Sequence, residues 1–183
     1  MKEDLKKIGF DPEKLTVWTR GANHGAFKNP RRINLEYKRP IWLYVGRVSI
    51  EKNIRAFLNL DLEGTKIVVG KGPDLKKLKQ EFPNVIFKGE KTNGELASYF
   101  ASADVFVMPS LTDTFGIVII EGLQCGTPVA AYPVTGPKDI LEGTNGGVLN
   151  KDLKVAALEA LKLNRDDCNC LLYTSDAADD SLR

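Results

Sequence analysis

The sequence has little of the chemistry that holds metals or disulfides. It contains one histidine, His24, and three cysteines, at positions 125, 168 and 170. An odd number of cysteines without regular spacing does not make a disulfide framework. Cys168-Asn-Cys170 is at most half of a zinc site, because structural zinc takes four ligands and no second pair follows. We therefore expect neither a metal site nor a disulfide scaffold.

A strong net charge and long apolar runs are also lacking. The formal net charge of +2 is small for a nucleic-acid-binding protein, and no basic stripe interleaved with aromatics is present. No apolar run approaches the roughly 20 residues of a membrane span. The first ten residues lack the apolar segment of a signal peptide. We expect a cytoplasmic protein without a nucleic-acid partner, with peripheral membrane contact through Lys and Arg as a further expectation for a full-length form.

The end of the chain is unlike the rest. Residues 170–180, CLLYTSDAADD, resemble the conceptual translation of a common sequencing adapter. Segments of this kind are left out of fold reasoning. We interpret residues 166–183 as a non-native tail.

What the sequence does have is a regular alternation of strands and helices. Apolar runs predict strands at 41–46, 66–70, 85–89, 105–110 and 128–133. Apolar residues at helical spacing predict helices after Pro73, after Asn93 and over 151–163. Near-continuous apolar strands separated by helices are typical of a parallel sheet covered on both faces. The fold class is therefore α/β, with a doubly wound, Rossmann-like parallel sheet.

The stretch GIVII, residues 116–120, is ambiguous. Its β-branched residues favour a strand. However, residues 111–127 separate two predicted strands and have the length of a parallel crossover that contains a helix. We predict a helix over 116–125, apolar on nearly every face and hence buried.

The first 38 residues differ from this pattern. A short amphipathic helix with Leu5 and Ile8 precedes a strand-like LTVWT, and a glycine-rich basic segment without periodicity follows. This organisation predicts a remnant of a preceding N-terminal domain at 1–19 and an interdomain linker at 20–38. The α/β domain then covers 39–165.

Two candidate site segments follow the first two strands, at the sheet edge where open α/β sheets bind ligands. Gly46 and Arg47, with Lys52, place two cations around a tight turn, which suits a diphosphate. The alternative is a solvated loop with ordinary surface cations. The second segment, GKGP at 70–73, indicates a tight turn. Its backbone either approaches a ligand or only leads into the next helix.

The third candidate segment surrounds the start of the predicted helix at 116. The amides of residues 115–117 would form a partly positive anion site. Asp113 either caps this helix or faces a ligand. Glu121 lies five residues beyond the helix start, about 7 to 8 Å along the axis, a distance comparable to that from a terminal phosphate to a ribose. A salt bridge across the sheet is the alternative for Glu121.

The fourth candidate is the loop GEKTN, residues 89–93, after the third strand. Its backbone could bind the edge of a nucleotide base. The equal alternative is a loop that only connects the strand to the next helix.

Together these segments resemble a known family. YVGRVSIEKN, VVGKGPDLKKL, VIFKGE and ASADVFVMPSLTDTFGIVIIEGLQCGTPVAAYPVTGPKDIL follow one another as in the C-terminal, donor-binding domain of retaining glycosyltransferases with the two-domain GT-B fold, family-four "group 1" type. WTRGANHGAF resembles the interdomain linker of that family. The resemblance covers roughly residues 15–165.

The resemblance implies roles for particular residues. The family has two acidic residues separated by seven others, which here are Asp113 and Glu121. It implies that Glu121 binds the ribose hydroxyls, and that Asp113 with the amides after it holds the donor sugar and phosphate. Arg47 and Lys52 would neutralise the diphosphate leaving group. The full set of donor-binding residues that we predict beside these four is Gly46, Gly70, Gly72, Lys91, Thr114, Phe115, Gly116 and Ile117, with the loop around Lys91 touching the base.

Two departures from the family pattern concern the donor. The first acidic residue is usually Glu and here is Asp113, which has one methylene less. VTGPKDIL, residues 134–141, lacks the commoner proline-glutamate ending and resembles a subgroup with mannosyl- and sulfoquinovosyl-type transferases of glycolipids. Both departures bear on donor identity more than on activity.

The implied function is transfer of a sugar, with retention, from a UDP-sugar or GDP-sugar to a lipid or glycan acceptor. The donor is a substrate, so no cofactor is expected, and two cations replace a metal. The acceptor site would belong to an N-terminal domain outside this chain, so we expect a truncated fragment that is inactive alone. The alternatives are a non-catalytic α/β nucleotide-binding module and a GT-B relative such as an epimerase.

Overall fold

The structure is a computed structural model that describes residues 2–14, 24–27, 30–113 and 116–168. Within these ranges the strands are β1 (Ile41–Val45), β2 (Thr65–Val69), β3 (Ile86–Phe87), β4 (Val105–Met108), β5 (Val129–Ala131) and β6 (Gly147–Leu149). The helices are α1 (Lys2–Lys7), α2 (His24–Phe27), α3 (Ile54–Leu58), α4 (Leu75–Glu81), α5 (Asn93–Ser102), α6 (Ile117–Gln124), α7 (Thr135–Leu141) and α8 (Leu153–Ala160). Short 3-10 helices occupy Pro12–Lys14 and Ile50–Lys52.

The six strands form one parallel sheet in the order β3-β2-β1-β4-β5-β6. This is the doubly wound order, which confirms the predicted fold class. The chain moves outward in one direction from β1 to β3 and then returns to place β4 on the other side of β1. The carboxyl ends of β1 and β4 therefore flank the topological switch point, where ligands bind in sheets of this kind.

Alternate side chains of each strand enter two different cores, as strand geometry requires. On one face Leu43 and Phe106 pack with α5 and α6, and on the other face Trp42 and Val107 pack with α3, α4 and α8. All four of these side chains are at most 1% exposed. Strands β1, β4 and β5 are buried on both faces, which explains why their sequences read as continuous apolar runs.

The ambiguous GIVII stretch is helical, as the crossover length predicted. Helix α6 connects β4 to β5, which pair in parallel. Gly122 is the close-packing residue of this helix, because a Cβ there would lie 3.3 Å from the Phe100 ring and 3.4 Å from the Phe106 ring. The buried face of the helix carries Ile119, Ile120, Gly122 and Leu123.

Several elements differ from the sequence-based expectation. The strand expected over 85–89 is reduced to Ile86–Phe87, at one edge of the sheet. Strand β6 and helices α2, α3 and α7 were not predicted. The strand-like segment 15–19 lies outside the described residues, and the domain boundaries at 38 and 165 remain predictions. Within the described part of the chain, no helix has the length and apolarity to cross a membrane.

Candidate functional site

The loops after β1 and β2 pack against each other through their backbones, and glycine makes this possible. Gly46, with φ 151°, donates its N–H to the carbonyl of Val69 at 3.1 Å. A Cβ on Gly70 would lie 1.9 Å from the Gly46 carbonyl oxygen, and one on Gly72 would lie 2.1 Å from that of Val48. Neither position accommodates a side chain. The glycines of the GKGP turn are therefore required for contact between the two loops, independently of any ligand.

A cleft of about 760 Å³ lies over these loops, at the carboxyl ends of β1, β2 and β3. Three cations and one carboxylate face it. Its lining residues are Val45, Gly46, Arg47, Val69, Gly70, Lys71, Gly72, Pro73, Glu90 and Lys91. The cleft is thus basic, open to solvent and placed beside the switch point of the sheet.

Two cations of this cleft make ion pairs with carboxylates four residues further along the chain. Arg47 lies 3.7 Å from Glu51, and these side chains are 66% and 56% exposed. Lys91 lies 3.2 Å from the Glu95 carboxylate, and these side chains are 26% and 65% exposed. The exposed Arg47–Glu51 pair contributes little to stability. Arg47 can therefore exchange its carboxylate partner for an anionic ligand at small cost.

Lys52 and Asp113 form a tighter pair at the start of α6. The Lys52 Nζ lies 3.1 Å from Asp113 Oδ2, and the two side chains are only 35% and 15% exposed. Asp113 Oδ1 also accepts the N–H of Gly116 at 2.8 Å. Asp113 therefore binds both a cation and the N–H of Gly116, the residue that directly precedes the first turn of α6. The Gly116 amide is engaged in this contact.

A small pocket of about 40 Å³ contains this pair and shares lining residues with the larger cleft. Both Lys52 and Asp113 line it, together with Val45 and Gly46, which also line the large cleft. The basic cleft and the start of α6 are therefore adjacent. Arg47 lines the large cleft and Lys52 lines the small pocket. Gly46 lines both.

Two further residues of this region were missed from the sequence. Asn53 adopts the left-handed conformation, with φ 50°, and its side-chain amide donates to the Pro109 carbonyl at 3.0 Å. This bond ties the segment after β1 to the segment after β4. Ser110, 3% exposed, lines the small pocket, and its Oγ has no hydrogen-bond partner among the described residues. The signal for Asn53 is its type, since Asn is the side-chain residue most tolerant of this conformation.

Glu121 lies one turn into α6, on the same helical face as Ile117. Ile117 is 44% exposed, so this face is the open side of an otherwise buried helix. Glu121 is half-buried, and burial raises the pKa of its carboxyl above the ordinary value. Within the described residues no hydrogen bond or ion pair reaches its carboxylate, so the alternative of a salt bridge across the sheet is not observed. An ionised, half-buried carboxylate without a partner is costly to keep.

The structure brings most of the predicted residues to one edge of the sheet. Gly46, Arg47, Gly70, Gly72 and Lys91 line the large cleft. Lys52, Asp113 and Gly116 meet beside it through the contacts described above. Thr114 and Phe115 lie outside the described residues. Among the described residues, no three His, Cys, Asp or Glu side chains cluster as metal ligands would.

Comparison with known proteins gives a consistent family. Residues 26–164 match the family model described as "Glycosyl transferases group 1". The chain is 35% identical over 155 residues to "Sulfoquinovosyl transferase SQD2" of Arabidopsis thaliana, covering 74% of this chain and 30% of that protein. It is 33% identical over 140 residues to the "GDP-mannose-dependent alpha-mannosyltransferase" of Mycobacterium tuberculosis (strain CDC 1551 / Oshkosh), covering 72% of this chain and 37% of that protein. The chain thus spans about a third of the length of these curated relatives.

Solved structures agree in fold. The structure of Anabaena Alr3699/HepE in complex with UDP superimposes with a TM-score of 0.72 at 19% identity, over 96% of this chain and 56% of that one. The apo form of the lipopolysaccharide outer core galactosyltransferase WaaB gives a TM-score of 0.68 at 18% identity, over 93% of this chain and 54% of that one. The chain therefore corresponds to about half of each structure. With a family model that matches most of its length, this chain belongs to the glycosyl transferases group 1 family.

Proposed function

We propose that this chain is the donor-binding domain of a retaining glycosyltransferase that uses a UDP-sugar or GDP-sugar. The observation that carries the proposal is the placement of the Lys52–Asp113 pair beside Gly116, at the start of α6 and at the switch point, with the half-buried Glu121 further along the same helix. The names of the relatives support it, since one is a GDP-mannose-dependent transferase. The HepE structure contains UDP.

The diphosphate lies between the Gly46 turn and the start of α6. Arg47 leaves its solvated contact with Glu51 and donates two parallel hydrogen bonds to phosphate oxygens. Lys52 is partly buried and held by Asp113, so it supplies a positioned point charge. The partial positive charge at the helix terminus adds to these two cations.

The ribose lies against Glu121. A carboxylate accepts hydrogen bonds from two neighbouring hydroxyls, and these bonds replace the water that the half-buried position has partly lost. The desolvation that raises the pKa of the Glu121 carboxyl is thus a cost of the free protein that the nucleotide removes. Ribose binding thus explains why a carboxylate occupies position 121, where it does not stabilise the fold.

The chemical step breaks the bond between the anomeric carbon and the donor phosphate oxygen, and its electron pair stays on the departing diphosphate. An acceptor hydroxyl of a lipid or glycan attacks the same face of the sugar, which retains the anomeric configuration, and its proton passes to the departing phosphate oxygen. Arg47 and Lys52 stabilise the charge that grows on the leaving group. Their contacts strengthen as the bond breaks, so they accelerate the reaction as well as bind the donor. Asp113 lies beside Lys52, where its carboxylate faces the donor sugar.

Isothermal titration calorimetry with UDP and GDP tests this proposal. We expect the chain to bind at least one of the two, and Arg47→Ala and Glu121→Ala to weaken that binding by about tenfold or more each, because each removes a charge-assisted hydrogen bond. Lys154→Met is the matched control, since Lys154 makes an exposed ion pair with Asp61 on another part of the surface. A folded chain that binds neither nucleotide contradicts the proposal, as does binding that both site variants leave unchanged.

A further inference from the structure

We infer that the ion pair between Lys71 and Glu90 reads the base of the donor nucleotide and selects guanine over uracil. This inference rests on the proposed function and deepens it, because it names the nucleotide that the cleft accepts. Lys71 Nζ lies 2.5 Å from Glu90 Oε2, and both side chains line the large cleft.

The pairing follows from the register of the sheet. Strands β2 and β3 are parallel, with Ile67 opposite Ile86 and Val68 opposite Phe87. Continuing this register by three residues places Lys71 opposite Glu90, each directly after the glycine that leaves its strand. Opposite charges at matching positions of neighbouring strands meet across the pair.

The backbones below this ion pair are fixed, and the side chains are not. Gly70 donates its N–H to the Gly89 carbonyl at 2.8 Å, and the Lys71 carbonyl accepts the N–H of Val48 at 2.9 Å. The Lys71 and Glu90 side chains are 71% and 52% exposed. A pair of this exposure costs little to open, so both groups can turn to a ligand. Their positions are thus set, and their partners are exchangeable.

Charge decides which end of the nucleotide meets this pair. Phosphates avoid the Glu90 carboxylate and are drawn to Arg47, Lys52 and the start of α6. The β1–β4 switch point and the Lys71–Glu90 pair, which follows β2 and β3, are separated by two strand spacings, about 10 Å in total. This separation is comparable to the distance from the phosphates to the base in an extended nucleoside diphosphate. With the phosphates at the β1–β4 switch point, the base reaches the Lys71–Glu90 pair.

The two bases differ at the edge that this pair would contact. Guanine presents the O6 acceptor next to the N1–H and 2-amino donors, so Lys71 donates to O6 while the Glu90 carboxylate accepts from both donors. Uracil presents one N3–H donor between two carbonyl oxygens. One carboxylate oxygen of Glu90 can accept from N3–H, but the other then faces a uracil carbonyl oxygen, which repels it. A bidentate contact of this kind typically discriminates between bases by about tenfold or more.

Titration calorimetry with GDP, inosine diphosphate and UDP on the intact chain tests the inference. We expect GDP to bind about tenfold more tightly than UDP, with inosine diphosphate between them because it lacks the 2-amino group. Glu90→Gln should remove most of this preference, since an amide offers both an acceptor for N3–H and a donor for a uracil carbonyl. Lys71→Met should weaken all three nucleotides, because each base presents a carbonyl to the lysine.

The control is Glu81→Gln, which alters an exposed carboxylate paired with Arg55 away from the cleft and should leave the three affinities unchanged. Two results overturn the inference while leaving the proposed function intact. One is tighter binding of UDP than of GDP, and the other is a GDP-to-UDP ratio that Glu90→Gln does not change. Absence of binding for all three nucleotides would instead remove the proposed function, and this inference with it.

Discussion

Replacing Glu121 by Gln should stabilise the free protein and weaken nucleotide binding in the same variant. Gln keeps the shape of the side chain and removes the charge, which is half-buried without a hydrogen-bond or ion-pair partner in the described part of the chain. Burial raises the pKa of this carboxyl in the folded state, so ionisation at neutral pH opposes folding. Opposite effects on stability and binding are characteristic of a residue retained for function.

The size of each effect follows from the environment of the side chain. Substitutions that remove such a conflict typically stabilise by about 0.5 to 2 kcal/mol, and partial exposure places Glu121→Gln at the lower end, about 0.5 to 1 kcal/mol. This gain corresponds to a melting temperature higher by about 1 to 4 °C in a domain of this size. Hydrogen bonds from the ribose to a carboxylate are worth about 1.5 to 3 kcal/mol, so the affinity should fall about 10- to 150-fold.

The stability gain also depends on pH with a defined sign. Because the folded-state pKa of Glu121 is above the unfolded value, the penalty of the native residue is full at neutral pH and disappears as the pH falls through the folded and then the unfolded pKa. Urea unfolding of both proteins at about pH 7 and about pH 4, below the ordinary Glu pKa of about 4.3, measures this difference. The stabilities should differ at the higher pH and converge at the lower.

Glu81→Gln is the control, because the pKa of Glu81 is shifted in the opposite direction to that of Glu121. The contact with Arg55 lowers the pKa of Glu81, so removing its charge should not stabilise the protein at neutral pH. If Glu121→Gln instead destabilises the protein at neutral pH, the carboxylate has a partner in the free state. Unchanged nucleotide affinity in that variant would refute its assignment to the ribose.

Three further predictions follow from the same contacts. Lys52→Met should weaken nucleoside diphosphate binding about tenfold or more in calorimetry, while the Lys154→Met control does not, because only Lys52 lies at the start of α6; equal affinities would contradict this. Gly70→Ala should cost about 2 kcal/mol or more in urea unfolding, since its Cβ would lie 1.9 Å from the Gly46 carbonyl oxygen at a φ of 145°, and a neutral effect would show that the two loops separate easily. Phe106→Ala should cost about 3 to 5 kcal/mol by the same measurement, because the ring is 1% exposed in the core; a cost below that range would mean that the core collapses around the cavity.

The fold was predictable from apolar runs together with the lengths of the segments between them. Apolar runs of strand length and the spacing between them gave five of the six strands, and crossover length decided the helix at GIVII against its β-branched composition. Tertiary context overrides propensity there, because a buried helix between parallel strands satisfies both its backbone and its apolar side chains. The sequence of α6 alone does not contain that information.

The missed elements share a physical reason. Strand β6 has three half-buried residues at the edge of the sheet, so it lacks the apolar run of a central strand. Helix α7 contains Pro137 in its first turn, where the missing N–H is tolerated, and this residue reads as a breaker in sequence. Helix α3 is five residues long. Elements this short are stabilised by what they pack against, which is invisible before the fold is known.

The candidate site was predictable in its residue types and less so in its pairings. Glycines, cations and acids at strand ends predicted a site at one edge of the sheet, and the structure brings most of these residues together there. The Lys52–Asp113 contact joins residues 61 positions apart across the switch point, so it depends on the sheet order. The Lys71–Glu90 pair was accessible in principle, because both residues follow a glycine at the end of neighbouring strands. For Asn53 the sequence signal is the residue type alone, and the left-handed backbone conformation is seen only in the structure.

A crystal structure of this chain with GDP tests the central claim most directly. The account predicts ribose hydroxyls within hydrogen-bonding distance of the Glu121 carboxylate, about 2.5 to 3.0 Å, and phosphate oxygens between Arg47, Lys52 and the start of α6. A nucleotide bound at the switch point with its ribose turned away from Glu121, or one bound at another surface of the chain, would contradict it.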